Sequence, residues 1–206
     1  MKPEMSALSL RLCHAVRPLD DPPCAPGWNH AELRDLIGTG PRRAAAVLVP
    51  VIERGQQPTV LFTQRTDHLL HHPGQISFPG GGVEAGDADA VAAALRETHE
   101  EIGVSAELMR PFGYLDCFET ISGYCVTPVV AHLDADYHAV PDPREVADVF
   151  EVPLAYFLLP ENLRTRRIVF RGISREIVEF LPDGRSIWGA TAAMMLSLVQ
   201  RMEALK

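Results

Sequence analysis

Pro79-Gly80-Gly81-Gly82 leads through Val83-Glu84-Ala85-Gly86-Asp87 into the acidic segment Arg96-Glu97-Thr98-His99-Glu100-Glu101-Ile102-Gly103. Between Asp87 and Ile102, the residues Val91, Ala94, Leu95, Thr98 and Ile102 recur at three- and four-residue steps, which predicts one buried stripe on a helix. Glu97, Glu100 and Glu101 fall beside that stripe within an arc of about 100°. Glu97 and Glu101 are one turn apart and face the same way. In water such a like-charge pair costs a helix roughly 0.2–0.5 kcal/mol, and the repulsion grows beside a buried face as the dielectric falls. A bound divalent cation reverses the sign of that term, so a glycine-rich loop opening this helix points to cations and phosphates.

Ligation by carboxylates alone suits a hard ion, Mg²⁺ or Mn²⁺, over zinc or copper. Cys13, Cys24, Cys117 and Cys125 are scattered without metal-like spacing and read as packed or surface thiols. Arg96 reaches Glu100 as an i,i+4 neighbour. The loop glycines let backbone amides and carbonyls approach a metal or phosphate. Asp87 is the expected N-cap of the helix, and Gly103 its stop. His99 falls on the far side and is expected to be solvated. The plain alternative for the whole stretch is a solvated acidic helix face.

Residues Gly82 to Val104 resemble the Nudix box: Gly, five residues, Glu, seven residues, then Arg-Glu-aliphatic-x-Glu-Glu-x-Gly-aliphatic. Two positions depart from it. Ala88, flanked by Asp87 and Asp89, stands where the first glutamate belongs, and Thr98 fills an aliphatic position. Upstream, Val60-Leu-Phe-Thr-Gln-Arg65 and His72-Pro-Gly-Gln-Ile-Ser-Phe-Pro-Gly-Gly81 resemble the segment preceding the box in the coenzyme A pyrophosphatase branch. Leu70 occupies a place where that signature commonly carries arginine. Further similarity lies at 122–128, 144–154 and 188–192.

The resemblance implies a Nudix-type α/β/α sandwich with a mixed sheet. It also implies Mg²⁺- or Mn²⁺-dependent hydrolysis of the pyrophosphate of coenzyme A or an acyl-coenzyme A, giving 4′-phosphopantetheine and adenosine 3′,5′-bisphosphate. Glu97 and Glu101 would anchor the ions, helped by a loop carbonyl near Gly82. Glu100 would orient or deprotonate the attacking water, with Glu145 of a later acidic loop as second choice. Arg65 and Gly81 would meet the substrate, and His72 matches the branch's His-x-Gly-Gln. Two alternatives stay open: a Nudix hydrolase of another nucleoside diphosphate derivative, such as ADP-ribose or a dinucleotide, and a nucleotide-sensing Nudix-fold module without turnover.

The chain has 206 residues, 47% of them hydrophobic, enough for one domain with a sizeable core. Its formal charge of −8 opposes encounter with a polyanion, so nucleic acid is not an expected partner. No apolar run approaches the ~20 residues of a membrane span, and the start lacks a secretory h-region. The expectation is therefore a cytoplasmic enzyme with a small-molecule substrate and room for a homodimer. Residues 1–40 read as an N-terminal extension, extended at first and then helical over Ala31–Ile37. Residues 41–206 read as the catalytic domain, with strands over Ala44–Ile52, Pro58–Thr63 and Gln75–Phe78 and a hairpin of Tyr114–Phe118 with Tyr124–Ala131. A short helix or turn is expected within Glu145–Phe157, two late strands at Arg166–Arg171 and Glu176–Leu181, and a final helix over Gly189–Leu205.

Overall fold

The computed structural model describes residues 6–33, 36, 40–55, 57–69, 72–170 and 172–205. Where the sequence predicts extended chain, the structure opens on a helix, α1 (Ala7–Ala15), capped by Ser6, whose hydroxyl accepts the Ser9 amide at 3.1 Å. A short turn of helix, α2 (His30–Leu33), begins the expected Ala31–Ile37 element, of which residues 34–35 and 37 lie outside the described residues.

Strand β1 (Arg43–Arg54) turns at Gly55 (φ 66°) into β2 (Gln57–Arg65), with Arg54 opposite Gln57. Then come β3 (Ile76–Ser77), β4 (Gly80–Gly82) and the long acidic helix α3 (Ala90–Ile102). After it follow β5 (Met109–Tyr114), β6 (Phe118–Glu119) and β7 (Tyr124–Leu133). The expected hairpin is there as β6 paired with β7, while Tyr114 belongs to a separate strand paired further along β7. The stretch expected to hold a helix or turn is mostly strand, β8 (Val146–Pro153), with one turn of helix, α4 (Leu154–Phe157), behind it. Pro153 breaks nothing because it is the strand's last residue, at an edge where its missing N–H is harmless. The chain ends in β9 (Leu163–Phe170), β10 (Ile173–Phe180), β11 (Ile187–Trp188) and α5 (Gly189–Glu203).

The main sheet runs β3-β2-β1-β7-β5, with β4 on β1, β6 on β7 and β8 on β2. It is mixed, as expected: β1 and β7 pair in parallel over ten positions from Arg43↔Tyr124 to Ile52↔Leu133, and the other pairs are antiparallel. Being central, β1 is buried on both faces and alternates between two cores. Ala46, Leu48 and Ile52 pack with Ala93, Ala94 and Ile102 of α3, while Ala45, Val49 and Val51 pack with Leu12 of α1 and Met195, Leu198 and Met202 of α5. The result is helix, sheet, helices in three layers. A smaller sheet, β11-β10-β9, adds Phe180 and Ile187 to the α5-side core.

The N-terminal segment is clasped onto β6 by Glu119, which is 2% exposed. Its carboxylate accepts the Gly27 amide at 3.1 Å and lies 2.9 Å from His30 Nδ1 and 3.5 Å from Arg42 Nε. Asn29 closes the clasp with two 2.8 Å bonds to the Glu119 backbone. Among the described residues, no helix is long and apolar enough to cross a membrane.

Candidate active site

Two of the glycines have no room for a side chain, Gly80 against β1 and Gly81 against a carboxylate of α3. β4 pairs with β1 as Ala45↔Gly82, Ala46↔Gly81 and Val47↔Gly80. Gly80 has φ 150°, and a Cβ there would meet the Ala46 carbonyl and lie 2.6 Å from Val47 Cα. A Cβ on Gly81 would lie 2.5 Å from both Cδ and Oε2 of Glu97. The Glu97 carboxylate therefore rests on the bare face of Gly81.

Helix α3 begins two residues later than a cap at Asp87 would place it. Asp89, not Asp87, is the cap, accepting the Ala92 amide at 2.8 Å. Asp87 instead accepts the Glu84 amide at 2.8 Å and Arg96 Nε and Nη2 at 3.0 and 2.9 Å, which holds its carboxyl below the usual range. Gly103 ends the helix in the left-handed conformation, φ 69°. His99 is exposed, as expected, with Nδ1 3.1 Å from the Val104 carbonyl.

Arg96 is the hub of the local charges. Besides Asp87 it meets Glu97 Oε1 at 3.0 Å, the expected i,i+4 partner Glu100 at 3.1 Å, and the Gly82 carbonyl at 3.0 Å. The carbonyl proposed to help hold an ion is thus engaged by Arg96, although an oxygen with two lone pairs has room for a second partner. Glu100 is largely exposed, its side chain 57% accessible.

Glu101 is the unusual group, only 4% exposed. Burial pushes its carboxyl up to about 8, with Glu145 and Glu97 adding to the rise, against the opposing pull of Arg65 and the Gly80 amide, which donates to it. Its Oε2 is buried with no hydrogen-bond partner. Burial also raises Glu97, countered by Arg96 and reinforced by Glu100 and Glu145. Arg65, at the end of β2, has a buried Nε that likewise lacks a partner. The structure thus brings Glu97, Glu101, Arg65, Gly81 and Glu145 into one electrostatic neighbourhood, with Glu100 at its exposed rim.

Glu145 arrives by main-chain bonds that no local pattern announces. The Asp142 amide donates to the Glu101 carbonyl at 2.8 Å, and the Glu145 amide to the Asp142 carbonyl at 3.0 Å. The Thr66 amide, directly after Arg65, donates to the Glu145 carbonyl at 3.0 Å. His72, in the loop ahead of β3, is exposed with φ 55°. Leu70, at the position where an arginine is common, lies outside the described residues.

Among the described residues, no three His, Cys, Asp or Glu side chains are already gathered as a metal cluster; Arg96 Nη1 bridges Glu97 and Glu100 as their counter-charge. The donor set still fits a hard divalent ion. A buried carboxylate oxygen without a partner calls for a proton or a cation, and a second carboxylate one turn away lies over a glycine with no side chain to block approach. Glu97 and Glu101 are the residues that would hold it.

The family model for the NUDIX domain matches residues 41–171. A Nudix hydrolase from Enterobacter sp. (strain 638), NudL, whose name calls it uncharacterized, is 40% identical over 165 residues, spanning 80% of this chain and 84% of that one. NudL of Escherichia coli (strain K12) is 41% identical over 158 residues, 76% of this chain and 81% of that one. Among solved structures, a MutT protein from Methanosarcina mazei Go1 superposes with a TM-score of 0.52 at 19% identity, over 82% of this chain and 97% of that one. A C. elegans Ap4A hydrolase complex gives 0.51 at 20% identity, over 79% and 96%. These two likenesses establish the three-layer fold and nothing finer.

Proposed function

The chain belongs to the Nudix hydrolase family, a family of pyrophosphohydrolases, and on that premise we propose that it hydrolyses the pyrophosphate of coenzyme A or an acyl-coenzyme A with Mg²⁺ or Mn²⁺. The products are 4′-phosphopantetheine and adenosine 3′,5′-bisphosphate. The catalytic unit is residues 41–206, with 1–40 as an N-terminal extension whose α1 packs on the α5 face. The observation that carries the reading is the pairing of Glu101, buried with one bare oxygen, with Glu97 seated on Gly81. The choice of coenzyme A rests on the resemblance of Val60–Arg65 and His72–Gly81 to that branch.

A divalent ion bound by Glu97 and Glu101 would lower the pKa of an attacking water and offset charge on the phosphates. The protein's own residues set the stage for that. Arg96 fixes the rotamers of Glu97 and Glu100 and ties α3 to the Gly82 carbonyl. Arg65, with its unpartnered Nε, offers a cation to a substrate phosphate next to Glu101. Proton removal from water falls to Glu100 at the exposed rim or to Glu145, whose charge is felt by both Glu97 and Glu101.

Leu70 in place of an arginine favours a second reading, hydrolysis of ADP-ribose or a dinucleotide. A panel of coenzyme A, dephospho-coenzyme A, ADP-ribose and a diadenosine polyphosphate, each with Mg²⁺ and with Mn²⁺, decides between them. The first reading requires the highest kcat/KM on coenzyme A. Glu97→Gln and Glu101→Gln should each lower turnover about 100-fold or more; near wild-type rates in both at saturating Mg²⁺ would remove the metal site.

A further inference from the structure

A second group of ligand-type side chains lies on the opposite face of the sheet and at the other end of β1. Glu53 is seven residues beyond Ala46, the partner of Gly81, hence roughly 23 Å further along the strand. Val51 stands opposite His132 in the parallel β1–β7 pair and belongs to the α1/α5 core. Glu53, two residues on, shares that face. From α1, Cys13 comes down onto it, with Sγ 3.9 Å from His132 Nε2. Phe112 stacks on the imidazole at 4.4 Å between centroids and 28° between planes, fixing the ring so that Nε2 looks toward the thiol.

The second observation is Glu53 itself. Both its carboxylate oxygens are buried without a hydrogen-bond partner, a costly state that calls for an ion, a proton or an ordered water. Its charge acts on both Cys13 and His132. We propose that Cys13, His132 and Glu53 form a binding site for one borderline divalent cation, Zn²⁺ in class, distinct from the carboxylates of α3.

Thiolate, imidazole and carboxylate are the three donor types that zinc accepts in tetrahedral sites, whereas the all-oxygen set on α3 suits a harder ion. With Zn–S at about 2.3 Å and Zn–N at about 2.05 Å, a tetrahedral angle puts S and N about 3.6 Å apart. The observed 3.9 Å is within a small side-chain movement of that value. The three side chains are not yet gathered around one point, so the Glu53 carboxylate, held by no hydrogen bond, would have to turn toward the ion on binding.

Charge balance favours the same occupant. On binding, the Cys13 S–H bond breaks and its proton leaves to solvent, while bonds form from the metal to Sγ, Nε2 and a Glu53 oxygen. No electron is transferred. One thiolate, one carboxylate, a neutral imidazole and a 2+ ion sum to zero, which suits a half-buried site. Burial lowers His132 toward the neutral, ligating form, with Arg110, its neighbour across β5–β7, pushing the same way and Glu53 opposing. Burial raises the Cys13 thiol, with Glu53 adding to the rise, so the metal must displace a held proton and affinity should climb with pH.

The test uses the whole chain, stripped with a chelator and titrated with Co²⁺ in excess Mg²⁺. We expect one equivalent of Co²⁺ to bind with a sulfur-to-cobalt charge-transfer band that Zn²⁺ displaces. Cys13→Ser should abolish the band, Glu53→Gln should weaken binding at least tenfold, and Glu97→Gln should leave it unchanged. Glu53→Gln should also leave the metal-free melting temperature equal or higher, because it removes an unpartnered buried charge. If Cys13→Ser does not fold, Glu53→Gln decides alone. A missing band, a band that survives Cys13→Ser, or an unchanged affinity in Glu53→Gln overturns the site and leaves Glu53 to an ordered water.

Discussion

Replacing Gly81 by alanine separates the catalytic role of the glycine run from its structural one. The new methyl would start 2.5 Å from Cδ and Oε2 of Glu97, and an ordinary contact needs about 3.5 Å, so the carboxylate must retreat by about 1 Å. It can do so cheaply, since it is the far end of a flexible chain. Gly81 itself has no positive φ, so alanine suits its backbone and stability should change by less than about 1 kcal/mol. A 1 Å misplacement of a group that positions the reaction costs on the order of 100-fold, about 2.7 kcal/mol of barrier. The variant should therefore melt within a few degrees of wild type without metal, yet show kcat about 100-fold lower at saturating Mg²⁺. Turnover within threefold of wild type would show that the seat of Glu97 on Gly81 does not matter. A large fall in melting temperature would make Gly81 a packing residue of the β1–β4 pair.

Metal-free protein should lose stability as pH rises, because Glu101 holds its proton up to about 8 when folded against 4.5 when unfolded. The contribution is full below pH 4.5 and falls away up to pH 8, with a ceiling of about 5 kcal/mol; chelated Glu101→Gln should lack that decline in urea melts across this range. Glu119→Ala strips partners from the buried Gly27 amide and from His30 and Arg42, and should cost about 2–3 kcal/mol, roughly 4–12 °C in Tm, with kcat unchanged. An equal loss of kcat would tie the clasp to catalysis. Leu70→Arg should raise the kcat/KM ratio of coenzyme A over dephospho-coenzyme A, since a guanidinium fork matches the 3′-phosphate; an unchanged ratio, together with wild-type preference for ADP-ribose, would leave a Nudix hydrolase without the coenzyme A assignment.

What the sequence made legible was local and periodic. The apolar steps of α3, its glycine stop and the reach of Arg96 to Glu100 all follow from one helix's geometry. The alternation in β1 and β2 and the glycine turn between them are of the same kind. The misses share a different cause. Helix α1 is short and weakly amphipathic, and its helicity rests on Ser6 and on Leu12 and Ala15 meeting α5 and the sheet, tertiary facts that a nine-residue stretch does not carry. Strand β8 hides because Asp148 and Glu151 interrupt its apolar pattern. Both have distant partners: Asp148 pairs with Arg185 at 2.6 Å, and Glu151 with Arg54 at 2.6 Å and Tyr137 at 2.9 Å. Asp87, the expected cap, is engaged by Arg96, nine residues away, and Asp89 caps the helix in its place. The unpartnered oxygen of Glu101 and the Cys13–His132 approach are visible only once strands and helices are packed.

The acids Glu101 and Glu145 are linked through backbone atoms: Val140 to Ile102 at 2.8 Å, Asp142 to Glu101 at 2.8 Å, and Thr66 to Glu145 at 3.0 Å. Main-chain bonds are indifferent to which side chains hang from them. The bonds that carry the 135–144 loop to the site therefore do not depend on the side chains of Val140 or Asp142, whereas Tyr137, bonded to Glu151 at 2.9 Å, anchors the loop through its side chain. A loop held this way ties the spacing of the two acids to the main chain, so replacing its exposed Asp136 and His138 should leave the rate of bond cleavage where it was.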